Sequence, residues 1–338
     1  MATKPVTGAT PKAKSGAFKR FLRANARFLA PFVTLAVLIV LFSYLSHGTF
    51  LTPVNLRNIL QQAAPLSILA AGVTFVLLAG EIDLSIAAIA TMSGVIASYV
   101  LVKLKLPGEL GMVVGLLAAI GLGWVNGKVT TYFGLPSFMA TLAMMRIANG
   151  VALYLTSARP FFKVPDLESF LGNEALGPVP WILIVGIVVL AASYFVLTYT
   201  RFGRYIYMVG GNREAAELSG VNSKFVRTMA ICVCGGLAGF GGLVNTGRIG
   251  SAQAAGFESM LMDAIAAVVL GGTSLFGGEG GIINTIIGLL IFGVLKNGLN
   301  LVNIDIYLKT LVTGLTLLAA LLLNVYSIKL SARESAEE

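Results

Sequence analysis

Charged residues are scarce in this sequence of 338 residues. Asp, Glu, Lys and Arg together make up 12% of the chain, whereas hydrophobic residues make up 57%. A soluble globular domain usually has about 25% charged residues, so the composition excludes an ordinary soluble protein. No polar segment is longer than an extended loop. We therefore expect any ATP-hydrolysing or sensory domain to lie on another chain.

Residues suited to catalysis or metal binding are equally few. His47 is the single histidine, and the two cysteines, Cys232 and Cys234, stand two positions apart in an apolar segment. A helix turns such a pair to different faces, and no other Cys or clustered His can complete a zinc site. With one histidine in a terminal part of the chain, no Ser/His/Asp set can form. The stretch from Gly272 to Glu279 has the glycine spacing of a phosphate loop but lacks its lysine. The sequence predicts no enzyme, no metal site and no cofactor on this chain.

The formal charge of +9 is concentrated at the amino terminus. Seven basic residues and no acidic one lie between Lys4 and Arg27, so the charge indicates an anionic lipid surface rather than nucleic acid. We expect residues 1–27 to form a disordered basic tail in the cytoplasm. A cleaved signal peptide is disfavoured, because the tail is long for its basic region and no small-x-small motif follows the first apolar run.

Long apolar runs are what the sequence has in abundance. They predict an all-α polytopic membrane protein with about ten transmembrane helices, because each run has the roughly 20 residues that cross a bilayer. The ranges are 30–46, 62–80, 83–102, 109–131, 136–156, 180–199, 226–246, 258–276, 280–298 and 304–325. Fifteen basic residues fall on one side of this arrangement and eight on the other, which places both termini in the cytoplasm. We expect one transmembrane domain over 28–328 and a cytoplasmic tail over 329–338.

Two features outside these runs are also predicted. A short amphipathic piece at Pro53–Leu60 is expected to lie along the outer interface. The loop Ser157–Val179 has three prolines and charges of both signs, and it is long enough to form a small external cap.

The fourth predicted helix has a stripe of small residues. Its members recur every four positions, at Gly111, Gly115, Ala119, Gly123 and Gly127. Helices in lipid associate through close backbone approach, which small residues at this spacing permit. The stripe predicts tight packing of this helix against another and carries no chemistry of its own.

A few polar residues in or between the spans are candidates for a transport route, because burying them in a membrane is costly. Arg146 and Asn149 lie in the fifth span, and Asp263 lies near one end of the eighth. Arg146 and Asp263 either line a polar path or form structural ion pairs, including one with each other. Asp83 and Ser85 belong to a turn between the second and third spans, although a broken helix facing a substrate is the alternative.

A polar, basic stretch from Thr200 to Thr228 separates the sixth and seventh spans. Its five basic and two acidic residues favour the cytoplasmic side. Its middle is predicted to form a short helix, with Asn212 as the N-cap, Glu214 in the first turn and Gly220 after its end. Such a helix either docks on a soluble partner or is a solvated loop that only sets the topology, and composition leaves both open.

Five segments resemble the ribose/xylose/galactose class of ABC sugar-import permeases. They are GEIDLS at 80–85, LPSFMATLAMM at 135–145, TRFGRYIYMVGGNREAAELSGVN at 200–222, GRIGSA at 247–252 and MDAIAAVVLGGTSLFGGEGG at 262–281. Their order is that of the family, and together they extend over the chain beyond the basic tail. The resemblance implies a single permease domain over 28–328 in a bacterial cell (inner) membrane. It also implies that 200–228 is a coupling loop and that a monosaccharide crosses by alternating access.

The same resemblance implies partners and residue roles. The partners are ABC ATPase subunits that hold ATP and Mg, an extracytoplasmic sugar-binding protein and a second permease copy, either identical or a paralogue. ATPase coupling falls to Arg213, Glu214, Ala215, Ala216, Leu218 and Gly220, although the Leu-Pro that ends the longer coupling motif of importers is absent. The candidates for the substrate path are Asp83, Ser85, Arg146, Asn149, Asn245 and Asp263.

Two other functions compete with sugar import. A related ABC permease for branched-chain amino acids, nucleosides or a signalling furanose would share the fold and the coupling loop. An ion-coupled secondary transporter would need no ATPase, but it typically needs a carboxylate or a broken-helix ion site at the midplane. The shortage of carboxylates within the spans disfavours it.

Overall fold

The computed structural model describes residues 26–322 except 178, 306, 317, 320 and 321. Segments 1–25 and 323–338, which hold most of the two predicted tails, lie outside the described residues. Nearly all regular structure in the described part is helical, and a two-residue hairpin, β1 (Ala175–Leu176) with β2 (Val179–Pro180), is the exception. The all-α polytopic class is therefore confirmed.

The helices follow one another with short connections. They are α1 (Ala26–Leu45), α2 (Pro53–Leu78), α3 (Ile86–Val102), α4 (Gly108–Tyr132), α5 (Ser137–Thr156), α6 (Asp166–Asn173), α7 (Trp181–Tyr199), α8 (Arg201–Gly211), α9 (Arg213–Leu218), α10 (Ser223–Ile249), α11 (Glu258–Leu270) and α12 (Ile282–Leu301), followed by helical backbone at 307–316.

Each of the ten predicted ranges overlaps one of these helices or the helical backbone at 307–316. Not all of the helices are long enough to cross a bilayer. Within the described residues, six have the required length and apolar composition, namely α2, α4, α5, α7, α10 and α12. The apolar part of α1, at Pro31–Leu45, and the whole of α3 are shorter, and α11 has 13 residues. The count of ten crossings and the side of the termini stay predictions.

Helix α2 forms the centre of the bundle, and its residues from Ala64 to Leu78 are all buried. Its start corrects one prediction, because Pro53–Leu60 is the first part of this helix rather than a separate interfacial piece. The reason is local: the Thr52 hydroxyl accepts a hydrogen bond from Asn55 N, and Pro53 fits the first helical position. The other end of α2 is closed by Gly80, which has a φ of +73°.

The small-residue stripe of α4 packs as predicted. A Cβ at Gly115 would lie 2.5 Å from the Ser93 carbonyl oxygen on α3, and one at Gly127 would lie 2.7 Å from the Thr228 carbonyl oxygen on α10. Gly123 faces Gly235 of α10 at similarly close range. Helix α4 is therefore wedged between α3 and α10 at a spacing that excludes larger side chains.

The bundle has two distinct ends. The basic end consists of the turn 80–85, helices α8 and α9, and the loop 271–281. The cap end contains α6, which lies across the last turn of α10 so closely that a Cβ at Gly247 would meet the backbone of Glu168. The predicted loop cap thus exists as a short helix followed by the small hairpin.

Replacing a stripe glycine should destabilise the bundle. Gly127→Ala puts a methyl group against the backbone of Thr228, and we expect it to cost about 1–3 kcal/mol by overpacking. Gly121→Ala is the matched control, because nothing lies within 4 Å of a Cβ at this position of the same helix. Thermal unfolding of the purified protein in detergent measures the difference. Equal stability of the two variants would contradict the packing assignment.

Candidate functional site

The predicted short helix is α9, and its ends are set as the sequence indicates. The side chain of Asn212 accepts a hydrogen bond from Ala215 N at 3.0 Å. Gly220 follows with a φ of +81°, a conformation that favours glycine. Helix α8 begins in the same way, with the Thr200 hydroxyl accepting from Gly203 N at 3.2 Å.

Helix α9 lies flat against the bundle and leaves its outer face free. Of the six predicted coupling residues only Ala216 is buried, at 2% exposure. Arg213, Glu214, Ala215 and Gly220 are exposed, and the side chain of Leu218 is 84% exposed. Leu218 is thus an exposed apolar side chain at the end of a capped helix.

The turn 80–85 is more than the plain connection that the sequence favoured, because its polar side chains are buried among helices. Glu81 is 4% exposed and accepts hydrogen bonds from Arg213 of α9, at 3.3 Å, and from Nε of Arg227 on α10. Sequence reasoning missed Glu81 and Arg227. Their pairing is not local, since 146 residues separate them in the chain.

Asp83 and Ser85 form a second polar group in the same turn. Oδ1 of Asp83 accepts hydrogen bonds from the Ser85 backbone N, at 2.8 Å, and from the Ser85 hydroxyl, at 2.6 Å. Asn126 of α4 donates to the Ser85 hydroxyl at 3.0 Å. Burial raises the pKa of Asp83, and the two hydrogen bonds from Ser85 oppose that shift. These contacts stabilise the turn and place both residues at the basic end.

Glycines hold the loop 271–281 against α8 at this end. Gly278 N donates to the Leu78 carbonyl oxygen at 3.0 Å, and a Cβ at Gly277 would lie 2.7 Å from the Gly210 carbonyl oxygen. The spacing that resembled a phosphate loop therefore serves backbone packing. Phe276, immediately before these two glycines, is 80% exposed and lies at the same end of the bundle as α9.

Arg146 and Asp263 do not pair with each other. Asp263 of α11 forms an ion pair with Lys296 of α12, whose ammonium group also lies 5.1 Å from the centre of the Phe292 ring. Arg146 is exposed near the middle of α5, with Asn149 half-buried. In the described part of the chain the Arg146 side chain has no ion-pair partner, which the prediction of a structural pair did not anticipate.

A cavity of about 650 Å³ opens beside the Asp263–Lys296 pair. A smaller one of about 190 Å³ adjoins it, and the two share Gln62, Ser259, Asp263, Phe292 and Lys296. Pockets for small molecules have volumes in this range, with few polar groups at fixed positions. No sequence pattern indicates Gln62 or Lys296 as neighbours of Asp263, because neither is near Asp263 along the chain.

The smaller cavity connects to a second path candidate. Arg248 lines it and donates from Nε to the side-chain oxygen of Asn245 at 2.8 Å. Both residues lie at the cap end of α10. The structure thus brings Asp263 and Asn245 to one region, leaves Asp83 and Ser85 at the basic end, and places Arg146 and Asn149 on the exposed side of α5.

Glu168 of the cap is a buried acid that the sequence did not single out. Its side chain is fully buried, and neither carboxyl oxygen has a hydrogen-bond partner among the described residues. Burial raises the pKa of Glu168 to about 9. The group is therefore protonated and neutral at neutral pH.

The structure is a multi-pass helical bundle with a surface helix at one end and a cavity near the other. Comparison with known proteins agrees: the chain belongs to the family described as branched-chain amino acid transport system / permease component, which matches residues 55–321. The chain is accordingly a permease component rather than an enzyme, and the resemblance found in the sequence is confirmed.

Individual relatives are named for sugars. The chain is 39% identical over 297 residues to the ribose import permease protein RbsC of Escherichia coli strain K12, covering 86% of this chain and 92% of that protein. It is 38% identical over 304 residues to RbsC of Bacillus subtilis strain 168, covering 88% and 92%. To the D-allose transport system permease protein AlsC of E. coli strain K12 it is 34% identical over 298 residues, covering 87% and 90%.

The buried acid Glu168 should make stability depend on pH. Between its usual pKa of 4.5 and the folded value of about 9, the native protein retains a proton that the unfolded chain releases. Stability therefore falls as pH rises through this window. Glu168→Gln removes the titration. We therefore expect the free energy of unfolding of the variant, relative to that of wild type, to rise between pH 6 and pH 8.5 by up to about 3 kcal/mol.

Unfolding temperatures at the two pH values test this expectation. Asp166→Asn is the control, because Asp166 is an exposed acid of the same helix. A parallel pH dependence in wild type and Glu168→Gln would show that Glu168 is not a buried neutral acid.

Proposed function

We propose that this chain is the transmembrane permease subunit of an ABC importer that moves a monosaccharide into the cell by alternating access. The observation that carries the proposal is α9, a capped surface helix whose outer face is free while its inner face contacts the bundle. The names of the relatives, for ribose and allose, support the substrate class. The proposed location is the inner membrane of a bacterial cell.

In this proposal the basic end faces the cytoplasm. The excess of basic residues between Thr200 and Thr228 supports that orientation. Ten membrane segments, including α1, α3, α11 and the helix at 307–316, then place both termini on the same side as α9. The cap end with α6 faces outward.

ABC ATPase subunits dock on the outer face of α9 in this scheme. Leu218 supplies the exposed apolar contact, and Glu214, four residues earlier on the same helix, adds a charged one. Phe276 gives a second apolar contact from the glycine-held loop. ATP and Mg bind to those subunits, and this chain responds to their movement.

The cavity beside Asp263 is the proposed outer end of the sugar path. An extracytoplasmic binding protein delivers the sugar at the cap end, where selectivity for one monosaccharide is set. Gln62, Ser259 and Asn300 offer neutral hydrogen-bonding groups to sugar hydroxyls. The Asp263–Lys296 pair adds an acceptor and a donor, and Lys309 adds a further donor at the same cavity.

The exposed side of α5 supports a second permease copy. A guanidinium group near the middle of a membrane helix is costly when it faces lipid. Arg146 is exposed at such a position, so we propose that this side of α5 faces the partner permease across an aqueous path. Asn149 lies three residues further along the helix and adds a polar group there.

The family description itself favours one alternative, a permease for branched-chain amino acids. A furanose signal or a nucleoside would use the same fold. Competition by unlabelled ribose, allose, leucine and a nucleoside for uptake of labelled ribose separates these substrates. Uptake by the permease without ATPase subunits, driven by an ion gradient, would instead indicate a secondary transporter.

The docking role of α9 is tested by Leu218→Asp. Adding a charge to this exposed position should abolish recovery of the ATPase subunits with the purified permease, while the amount of permease in the membrane stays unchanged. The control is Leu176→Asp at the cap end, where a leucine is 61% exposed. Recovery of ATPase subunits with the Leu218 variant at the wild-type level would reject α9 as their docking surface.

The cavity is tested by neutralising its ion pair. We expect Asp263→Asn to lower uptake at least about tenfold, because it leaves the Lys296 ammonium group without its partner. The double variant Asp263→Asn/Lys296→Gln removes both charges and should restore protein stability but not uptake. Uptake by reconstituted vesicles and thermal unfolding are measured together. Full recovery of uptake in the double variant would make the pair structural only.

A further inference from the structure

Glu81 occupies a position shared by the surface helix and the membrane helices. Its carboxylate oxygen Oε1 accepts from Arg213, the first residue of α9, and from Arg227, in the first turns of α10. The backbone around it is fixed, since Glu81 N donates to the Val76 carbonyl oxygen of α2 at 3.0 Å. Glu81 therefore connects three helices at the basic end, α9 and α10 through its carboxylate and α2 through its backbone.

The turn that carries Glu81 is also attached to α5. Ile82 N donates to the Ser137 hydroxyl and Leu84 N to the Thr141 hydroxyl, each at 3.1 Å. A pull on Glu81 therefore acts on the end of α2 and on the start of α5. These two helices carry Gln62 in the cavity and Arg146 on the exposed face, respectively.

The two arginines differ in their surroundings. The side chain of Arg227 is 11% exposed and that of Arg213 is 48% exposed. Arg227 neutralises the buried carboxylate from within the bundle, whereas Arg213 reaches it from the surface. A half-exposed ion pair contributes little to stability. The Arg213–Glu81 ion pair instead fixes the position of α9 relative to the turn.

We propose that Glu81 is a positioning residue that transmits the movement of α9 to the membrane helices through Arg213. The inference rests on the proposed function and adds the route by which ATP hydrolysis on a partner reaches the transport path. Arg213 faces inward to Glu81 in this role rather than serving mainly as a contact for the ATPase. Loss of the bond leaves the ATPase bound and active but disconnects it from the sugar path.

The test uses the complete importer in lipid vesicles and measures ATP hydrolysed per sugar molecule taken up. Arg213→Gln should raise this ratio at least about fivefold, which is the lower end of the factors by which coupled sites typically affect each other. The ATPase subunits should stay bound. Arg213→Lys keeps the charge and should restore most of the coupling. Arg204→Gln is the matched control, because Arg204 is exposed on α8 and has no ion pair among the described residues.

A double-variant comparison separates transmission from other roles. Glu81→Gln should produce the same uncoupling, and adding Arg213→Gln to it should have no further effect on coupling, since each change alone already removes the Arg213–Glu81 ion pair. If Glu81→Gln fails to fold because Arg227 loses its partner, the Arg213 variants still decide the question.

Two results would overturn the inference. Loss of ATPase subunits from the Arg213→Gln complex would make Arg213 a docking residue, and an unchanged ratio would show that the bond transmits nothing. Failure of the proposed function has a different signature, because the wild-type permease would then bind no ATPase or take up no sugar.

Discussion

Close contact between the backbones of α4 and α10 is the constraint on which the rest of the bundle depends. Lipid provides no hydrophobic drive to bring helices together, so contact distance decides which helices associate. Gly123 of α4 packs directly against Gly235 of α10, with no side chain separating the two backbones. Helix α10 held in this way presents Arg227 to the turn at one end and Arg248 to the cavity at the other.

This arrangement relates two regions that do not touch. The buried carboxylate of Glu81 lies at the basic end, and the Asp263–Lys296 pair lies at the cavity toward the cap end. Helices α2 and α10 connect the two ends without interruption. A shift of either helix at the basic end would move residues at the cavity, as the proposed alternating access requires.

The sequence predicts those features that depend on local spacing. The stripe of α4, the caps of α9 and the apolar ranges of the helices follow from residues that are near one another in the chain. The partners of Glu81 and Asp263 do not, because they come from helices that tertiary packing brings together. Of the alternatives open for Arg146 and Asp263, a pair between the two does not form, because Lys296 on the neighbouring α12 is the ion-pair partner of Asp263.

Pro65 gives the central helix a point of weakness beside the cavity. A proline inside a helix donates no hydrogen bond to the residue four positions earlier, here Gln61. The part of α2 from Pro65 to Leu78 is about 20 Å long. Because Pro65 also lines the smaller cavity, α2 bends most easily at the level of the proposed solute. Bending at Pro65 would change the angle between the part of α2 that carries Gln62 and the part that ends at Leu78.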